Sequence, residues 1–239
     1  MKGPAVVAVS GFSSEVGKTT LMCDLLRAFP TWEAIKVTRG HYRSCGRDPQ
    51  ACCVSDLLGN EPVIRSGREQ NYSPGKDTGR YWDAGAANVH WAIVTDEQVE
   101  SGIKQAVQRV MAPGVFIEGN SILEFIQADF VLMVSRASGG IIKGSARKAL
   151  SHSSAIYLSN ITEEGTDERT KFALWRKQSG LDQFIGRLPI YTKADLPELI
   201  AQVQKIGASS NVGAERDRRV SSPSPRLVSP SKTFASGQS

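Results

Sequence analysis

Residues Gly11 to Thr20, Gly-Phe-Ser-Ser-Glu-Val-Gly-Lys-Thr-Thr, constrain this chain more than any other stretch. The apolar run Ala5-Val6-Val7-Ala8-Val9 precedes them, and Leu21-Met22-Cys23-Asp24-Leu25-Leu26, with helical spacing, follows. The pattern predicts a buried strand, a glycine-bounded loop and a helix entered through Gly-Lys-Thr. Such a loop aims backbone N–H groups and a helix N-terminus at one point, an arrangement that suits an anion. There Lys18 would reach the β- and γ-phosphates of a nucleotide and the Thr19 hydroxyl would sit on Mg²⁺. The expected phosphate-binding set is Ser13, Ser14, Glu15, Val16, Gly17, Lys18, Thr19 and Thr20, with ATP or GTP as the ligand.

Short apolar runs alternate with helical stretches along the rest of the chain, which predicts βα units and an α/β fold: three layers around a doubly wound, mostly parallel sheet. Strands are expected at Ala5–Ser10, Glu33–Val37, His90–Thr95, Gly114–Ile117, Phe130–Ser135, Ala155–Leu158 and Phe184–Leu188. Helices are expected at Thr19–Phe29, Asp77–Ala86, Asp96–Val110, Ser145–Ser151, Asp167–Lys177 and Leu196–Ile206, with Asp96 or Thr95 capping the third. One domain, residues 1–207, should therefore precede a disordered Ser/Pro/Arg-containing tail, 208–239, whose composition offers too little to bury.

At 239 residues, 40% hydrophobic and 22% charged, the chain has an ordinary globular composition. A net charge of +5 suits anionic ligands without demanding nucleic acid, and no apolar stretch approaches the ~20 residues of a membrane span. The N-terminus runs straight into the first strand, so no signal peptide is expected. Four cysteines make no disulfide scaffold, so a reducing, cytoplasmic setting is expected.

Three further segments carry chemistry. Gly114-Val115-Phe116-Ile117-Glu118-Gly119-Asn120 reads as a buried strand ending in an acid, so Glu118 should emerge at the carboxyl edge of the sheet beside the loop, able to hold Mg²⁺. In Pro74 to Ala86, Lys76, Asp77 and Arg80 lie at a helix start, with Asp77 and Arg80 one turn apart. That start offers a metal-side carboxylate and an arginine for phosphate charge. The small residues Ala84-Gly85-Ala86 suit close packing on a strand. In Ile35-Lys36-Val37-Thr38-Arg39-Gly40-His41, Lys36 stands at the end of the second strand.

With Gly17 as second glycine, the strict G-x-x-x-x-G-K-[ST] spacing would put the first at Phe12; it lies at Gly11, one residue earlier. In this extended form the loop resembles that of dethiobiotin synthetase, which also ends in Glu-Val-Gly-Lys-Thr. The chain looks like a P-loop NTPase of the group that includes nitrogenase iron protein and the molybdopterin-guanine dinucleotide adaptor MobB. Both dethiobiotin synthetase and MobB carry Val-Glu-Gly where this chain has Ile117-Glu118-Gly119, and a lysine like Lys36 after strand two. Lys76-Asp77-Thr78-Gly79-Arg80, followed after three residues by Ala84-Gly85-Ala86, is similar to MobB; Tyr81 replaces its common histidine, and Thr38 and His41 roughly fit its pattern. The resemblance implies catalytic roles for Lys18, Lys36, Glu118 and Arg80, and Mg²⁺ on Thr19, Glu118 and Asp77. It implies a slow Mg²⁺-dependent NTPase serving molybdopterin-type cofactor biosynthesis, with a small-molecule or protein partner and room for a homodimer.

Two alternatives stay open: an ATP-dependent small-molecule ligase or kinase resembling dethiobiotin synthetase, and a nucleotide-gated adaptor or metallochaperone. The latter draws on His41, Cys45, Cys52 and Cys53, which could ligate zinc or part of an iron–sulfur cluster. Cys-x6-Cys-Cys is not a zinc-knuckle spacing, and a mobile loop with reactive thiols is the preferred reading. Asn160 stands where related proteins recognise the base, but Ile161-Thr162-Glu163 follows it instead of a guanine signature, which leaves ATP and GTP open.

Overall fold

The computed structural model describes residues 3–40, 54, 57–159 and 167–220. Eight strands form one sheet: β1 (Ala5–Gly11), β2 (Glu33–Arg39), β3 (Val63–Ser66), β4 (Val89–Val94), β5 (Gly114–Glu118), β6 (Phe130–Arg136), β7 (Ala155–Ser159) and β8 (Ile190–Tyr191). Their order is β3-β4-β2-β5-β1-β6-β7-β8, and every neighbouring pair is parallel except β3 with β4. The helices are α1 (Lys18–Ala28), α2 (Arg68–Asn71), α3 (Asp77–Asp83), α4 (Val99–Gln108), α5 (Gly144–Leu150), α6 (Glu168–Gln178), α7 (Asp182–Ile185) and α8 (Leu196–Val220).

The three layers follow from the two-residue period of a strand. In β1 every residue is buried, but alternate side chains face opposite ways. Ala5, Val7 and Val9 join Leu21, Leu25 and Leu26 of α1, Tyr81 and Trp82 of α3, and Leu199 and Val203 of α8. Val6 and Ala8 join Val99, Ile103 and Ala106 of α4, Leu150 of α5 and Phe172 of α6. A strand apolar on both faces belongs at the centre of a parallel sheet covered twice. From β1 the chain passes to β2 and on to the edge strand β3, comes back through β4 and β5, and then winds to the other edge through β6, β7 and β8. The fold is the expected doubly wound α/β arrangement. Its strands reverse order beside β1, and the crevice at the carboxyl ends there is where such sheets bind ligands.

Four expectations need correction. Residues 184–188 form no strand. Leu181 and Ile185, four apart, are both buried and close the short helix α7, while Phe184 is exposed; the sheet's last strand is Ile190–Tyr191. Strand β3 went unpredicted, since four residues after Pro62 give too short an alternation to read. Helix α4 begins at Val99 rather than Asp96. Gln98 precedes it, taking the Thr95 N–H on its side-chain oxygen at 3.1 Å, while Asp96 pairs with Arg39 at 3.1 Å. Helix α8 continues past the expected end at Ile206 to Val220; residues 221–239 lie outside the described residues. Among the described residues no helix is long and apolar enough to cross a membrane.

Candidate functional site

The loop between β1 and α1 turns sharply. Gly17 sits at φ 91°, in the left-handed region, and a side chain there would also stand 3.0 Å from Cβ of Ser159. Glu15, at φ 57°, shares that region. Helix α1 then starts at Lys18 with no side-chain cap and no acidic residue in its first turn. The free N–H groups of that turn, and the positive end of the helix dipole, have no internal anion competing for them. The Lys18 ammonium folds back to donate to the Ser13 carbonyl at 3.1 Å. Its pKa is lowered below 10.5, chiefly by burial, against the opposing pull of Glu118.

Four other elements deliver side chains to this point. Thr19, on α1, places Oγ1 3.1 Å from Oδ1 of Asp77 and 3.1 Å from Oε2 of Glu118. Asp77 opens α3, and Glu118 is the last residue of β5, which pairs with β1. Lys36, on β2 in register with Glu118, lies 2.7 Å from Asp77 Oδ2 and 2.9 Å from Glu118 Oε1. Burial opposes the Lys36 charge, but the Glu118 and Asp77 carboxylates outweigh it and raise its pKa above 10.5. For Asp77, too, burial is outweighed: Lys36, hydrogen bonds from Lys36 and Thr19, and Arg80 lower its pKa below 3.8. The structure thus brings Lys18, Thr19, Lys36, Asp77 and Glu118 together. One hydroxyl and two carboxylates converging on a spot already neutralised by an ammonium form a donor set suited to a hard divalent cation such as Mg²⁺.

Tyr81 is the member that sequence reasoning missed. Wholly buried, it donates its hydroxyl to Glu118 Oε2, and its pKa is raised well above 10 by burial and by the carboxylate it faces. It lies four residues after Asp77, on the same face of α3, a spacing that could have revealed it. Arg80 reaches the Thr20 hydroxyl at 3.3 Å. Thr38 turns elsewhere, accepting the Trp91 indole N–H at 2.8 Å. Ala84 and Ala86 are buried as expected, whereas Gly85 has open space where a side chain would stand and serves the turn with φ 92°. Cys23 is buried and its thiol pKa is raised, chiefly by burial, which leaves it unreactive.

A cavity of about 750 Å³ opens over these groups, bounded by Lys18, Thr19, Lys36, Asp77, Arg80 and Glu118 on one side and Tyr157, Ser159 and Lys193 on another. Burial pushes the Tyr157 hydroxyl up to about 12, so it stays a neutral hydrogen-bonding group. Beside the loop, Asn120 clamps β1 in both directions: its Oδ1 accepts the Gly11 N–H at 2.8 Å and its Nδ2 donates to the Gly11 carbonyl at 2.9 Å. His41, Cys45, Cys52, Cys53 and Asn160 lie outside the described residues. Among the described residues no group of three His, Cys, Asp or Glu forms a metal cluster.

No protein-family model matches the sequence, and comparison with curated proteins finds no match. Among solved structures the chain is similar to LpxK from Aquifex aeolicus in complex with ATP, at 14% identity and a TM-score of 0.43 over 79% of this chain and 53% of that one. It is also similar to the signal recognition particle 54 kDa protein from Aeropyrum pernix K1 in complex with GDP, at 15% identity and a TM-score of 0.40 over 91% of this chain and 49% of that one. The chain spans about half the length of these two structures.

Proposed function

We propose that the chain is a Mg²⁺-dependent nucleoside-triphosphate-binding protein of the P-loop type and a slow NTPase. One observation carries this reading: Lys18 and Thr19, at the uncapped start of α1, meet Asp77 and Glu118 at the mouth of one cavity. The phosphates lie on residues 13–20, where backbone N–H groups and the helix dipole hold them. Thr19, Asp77 and Glu118 would hold Mg²⁺, which when bound offsets phosphate charge as a Lewis acid. Lys18 neutralises the terminal phosphates, and Arg80 adds a second cation at the cavity wall. Tyr81 fixes the Glu118 carboxylate by its hydroxyl. Lys36 serves as the standing counter-charge for both carboxylates, so an arriving cation meets a set already held in place. Catalysis on this plan is positioning and electrostatic stabilisation of the transferring phosphoryl group.

The similarity of Lys76-Asp77-Thr78-Gly79-Arg80 to MobB supports a role in molybdopterin-type cofactor biosynthesis. Calorimetric titration with Mg²⁺ and ATP or GTP tests the nucleotide reading. The parent should bind at least one triphosphate, and Lys18→Ala should lose most of that affinity while keeping the parent's melting temperature. A parent that binds neither nucleotide, or a variant that binds as the parent does, overturns it.

A further inference from the structure

A second, smaller cavity lies beside the phosphate loop and shares Ser14 and Lys18 with the first. It encloses about 240 Å³ and is lined by three cations, Lys18, Arg39 and Lys143, with Ser13, Asn120 and Ser145 among its neutral groups. No carboxylate is among the described residues that line it. The cations are held without being fully neutralised. Lys143 donates to the Ser14 hydroxyl at 2.7 Å and Lys18 to the Ser13 carbonyl at 3.1 Å, both uncharged oxygens. Arg39 gives Nη1 to Asp96, but its Nε is buried and has no hydrogen-bond partner among the described residues.

The frame around this space is built. The Lys143 N–H donates to the Phe12 carbonyl at 2.9 Å, and Asn120 holds Gly11 on both its polar groups while donating to Ser145 Oγ at 3.4 Å. The loops that follow β1, β5 and β6 are thereby tied together, so the cations are positioned before any ligand arrives. Ser14 and Lys18 line both cavities, which places the smaller one against the end of the nucleotide that Lys18 holds.

We propose that the smaller cavity is a subsite for the carboxylate or phosphate group of a small second substrate, the acceptor of the terminal phosphoryl group. The proposal rests on the nucleotide reading and gives it a substrate class. At ~30 Å³ of liquid volume per water, the space equals about eight waters, enough for an oxyanion on a short skeleton. An acceptor oxygen held there attacks the terminal phosphorus. The bond to the bridging oxygen breaks, and the nucleoside diphosphate leaves with that electron pair, giving an acyl phosphate from a carboxylate or a phosphoanhydride from a phosphate.

The test uses the full chain saturated with Mg²⁺ and a slowly hydrolysed triphosphate analogue, so that the phosphate loop is filled. Inorganic phosphate and acetate are titrated separately by calorimetry, with chloride at equal ionic strength as the control. The parent should bind at least one probe saturably, and the probe that binds identifies the acceptor group. Arg39→Met with Lys143→Met should weaken that binding tenfold or more, as loss of charge-assisted hydrogen bonds requires, with analogue affinity within about twofold of the parent. Lys143→Gln alone, at an exposed position that leaves the core untouched, should weaken it severalfold and keeps the test decisive if the double variant misfolds. Absence of saturable binding in the loaded parent, or equal affinity in the variants, overturns the subsite and leaves the nucleotide reading standing. A parent that fails to bind the analogue brings down both.

Discussion

At the scale of single residues, the site is a charge cluster that is neutralised from within. Glu118 is 4% exposed, accepts from Tyr81 and Lys36, and lies with Asp77 within reach of the shared Thr19 hydroxyl, so both its oxygens are held in place. Glu118→Gln keeps the shape and loses the charge: nucleotide should still bind, while its Mg²⁺ dependence weakens. Superimposable Mg²⁺ titrations of variant and parent would remove Glu118 from the metal side. The cluster also sets a pH window. The lowered pKa of Asp77 means that its contribution to stability is present above the unfolded-chain value and is lost as pH falls through the lower folded one. The raised pKa of Lys36 acts at the other end: its contribution is full below the unfolded value and is lost as pH rises through the folded one. Urea midpoints of parent and Asp77→Asn should therefore differ by a constant amount from about pH 6 to about pH 9. The gap should close as acid protonates Asp77; one that persists at the acid end would show that the variant acts through packing.

At the scale of elements, α3 delivers most of this chemistry, and one close approach decides where it sits. A side chain on Gly79 would lie 2.0 Å from the Ser73 carbonyl oxygen, a backbone atom that cannot swing aside. Gly79→Ala must therefore move α3 or the turn before it, at a cost of ~1–3 kcal/mol, and Asp77, Arg80 and Tyr81 move with it. Lower stability together with weaker Mg²⁺ binding is expected; unchanged Mg²⁺ affinity would mean that the turn alone absorbs the strain. The glycine-bounded loop after β1, the acid at the end of β5 and the charges of α3 were legible in the sequence because each is a local pattern on one element. Asn120 and Lys143 were not, because their value comes from pairings 109 and 129 residues apart that exist only once the sheet is assembled. Helix α8 shows the opposite limit. Leu199, Val203 and Gly207, four apart, form its described buried stripe, and Gly207 packs so closely on Trp32 that a side chain would stand 2.9 Å from the indole. The sequence loses its apolar period just past that stripe, and the helix continues without it. A chain ending at Gly207 should melt within a few degrees of the parent, whereas one ending at Glu198 loses the burial of Leu199 and Val203, worth ~1.5–3 kcal/mol each. A large fall for the chain ending at Gly207 would show that the helix beyond 207 docks on the domain.

At the scale of the whole molecule, the two ends of the sheet divide the work. The carboxyl end carries the proposed cation-and-phosphate site, and the amino end carries a buried polar relay that shares no residue with it. Glu33, the first residue of β2, places Oε2 2.6 Å from Nε2 of His90 on β4, and His90 Nδ1 lies 2.7 Å from the hydroxyl of Ser66 at the end of β3. The other Glu33 oxygen accepts the N–H groups of Met111 and Ala112, each at 3.1 Å, in the connection from α4 to β5. His90 is 1% exposed and Glu33 5%, so water cannot replace a lost partner. The relay ties four segments together, and β3, a four-residue edge strand with a single buried residue, depends on it most. Glu33→Ala strands two backbone donors and a buried imidazole, which should cost ~3–5 kcal/mol. The urea midpoint should fall accordingly, while the fraction still folded at low temperature binds Mg²⁺ and nucleotide as the parent does. Loss of ligand affinity in that folded fraction would show that the two ends of the sheet are coupled through β2, the strand that carries both Glu33 and Lys36.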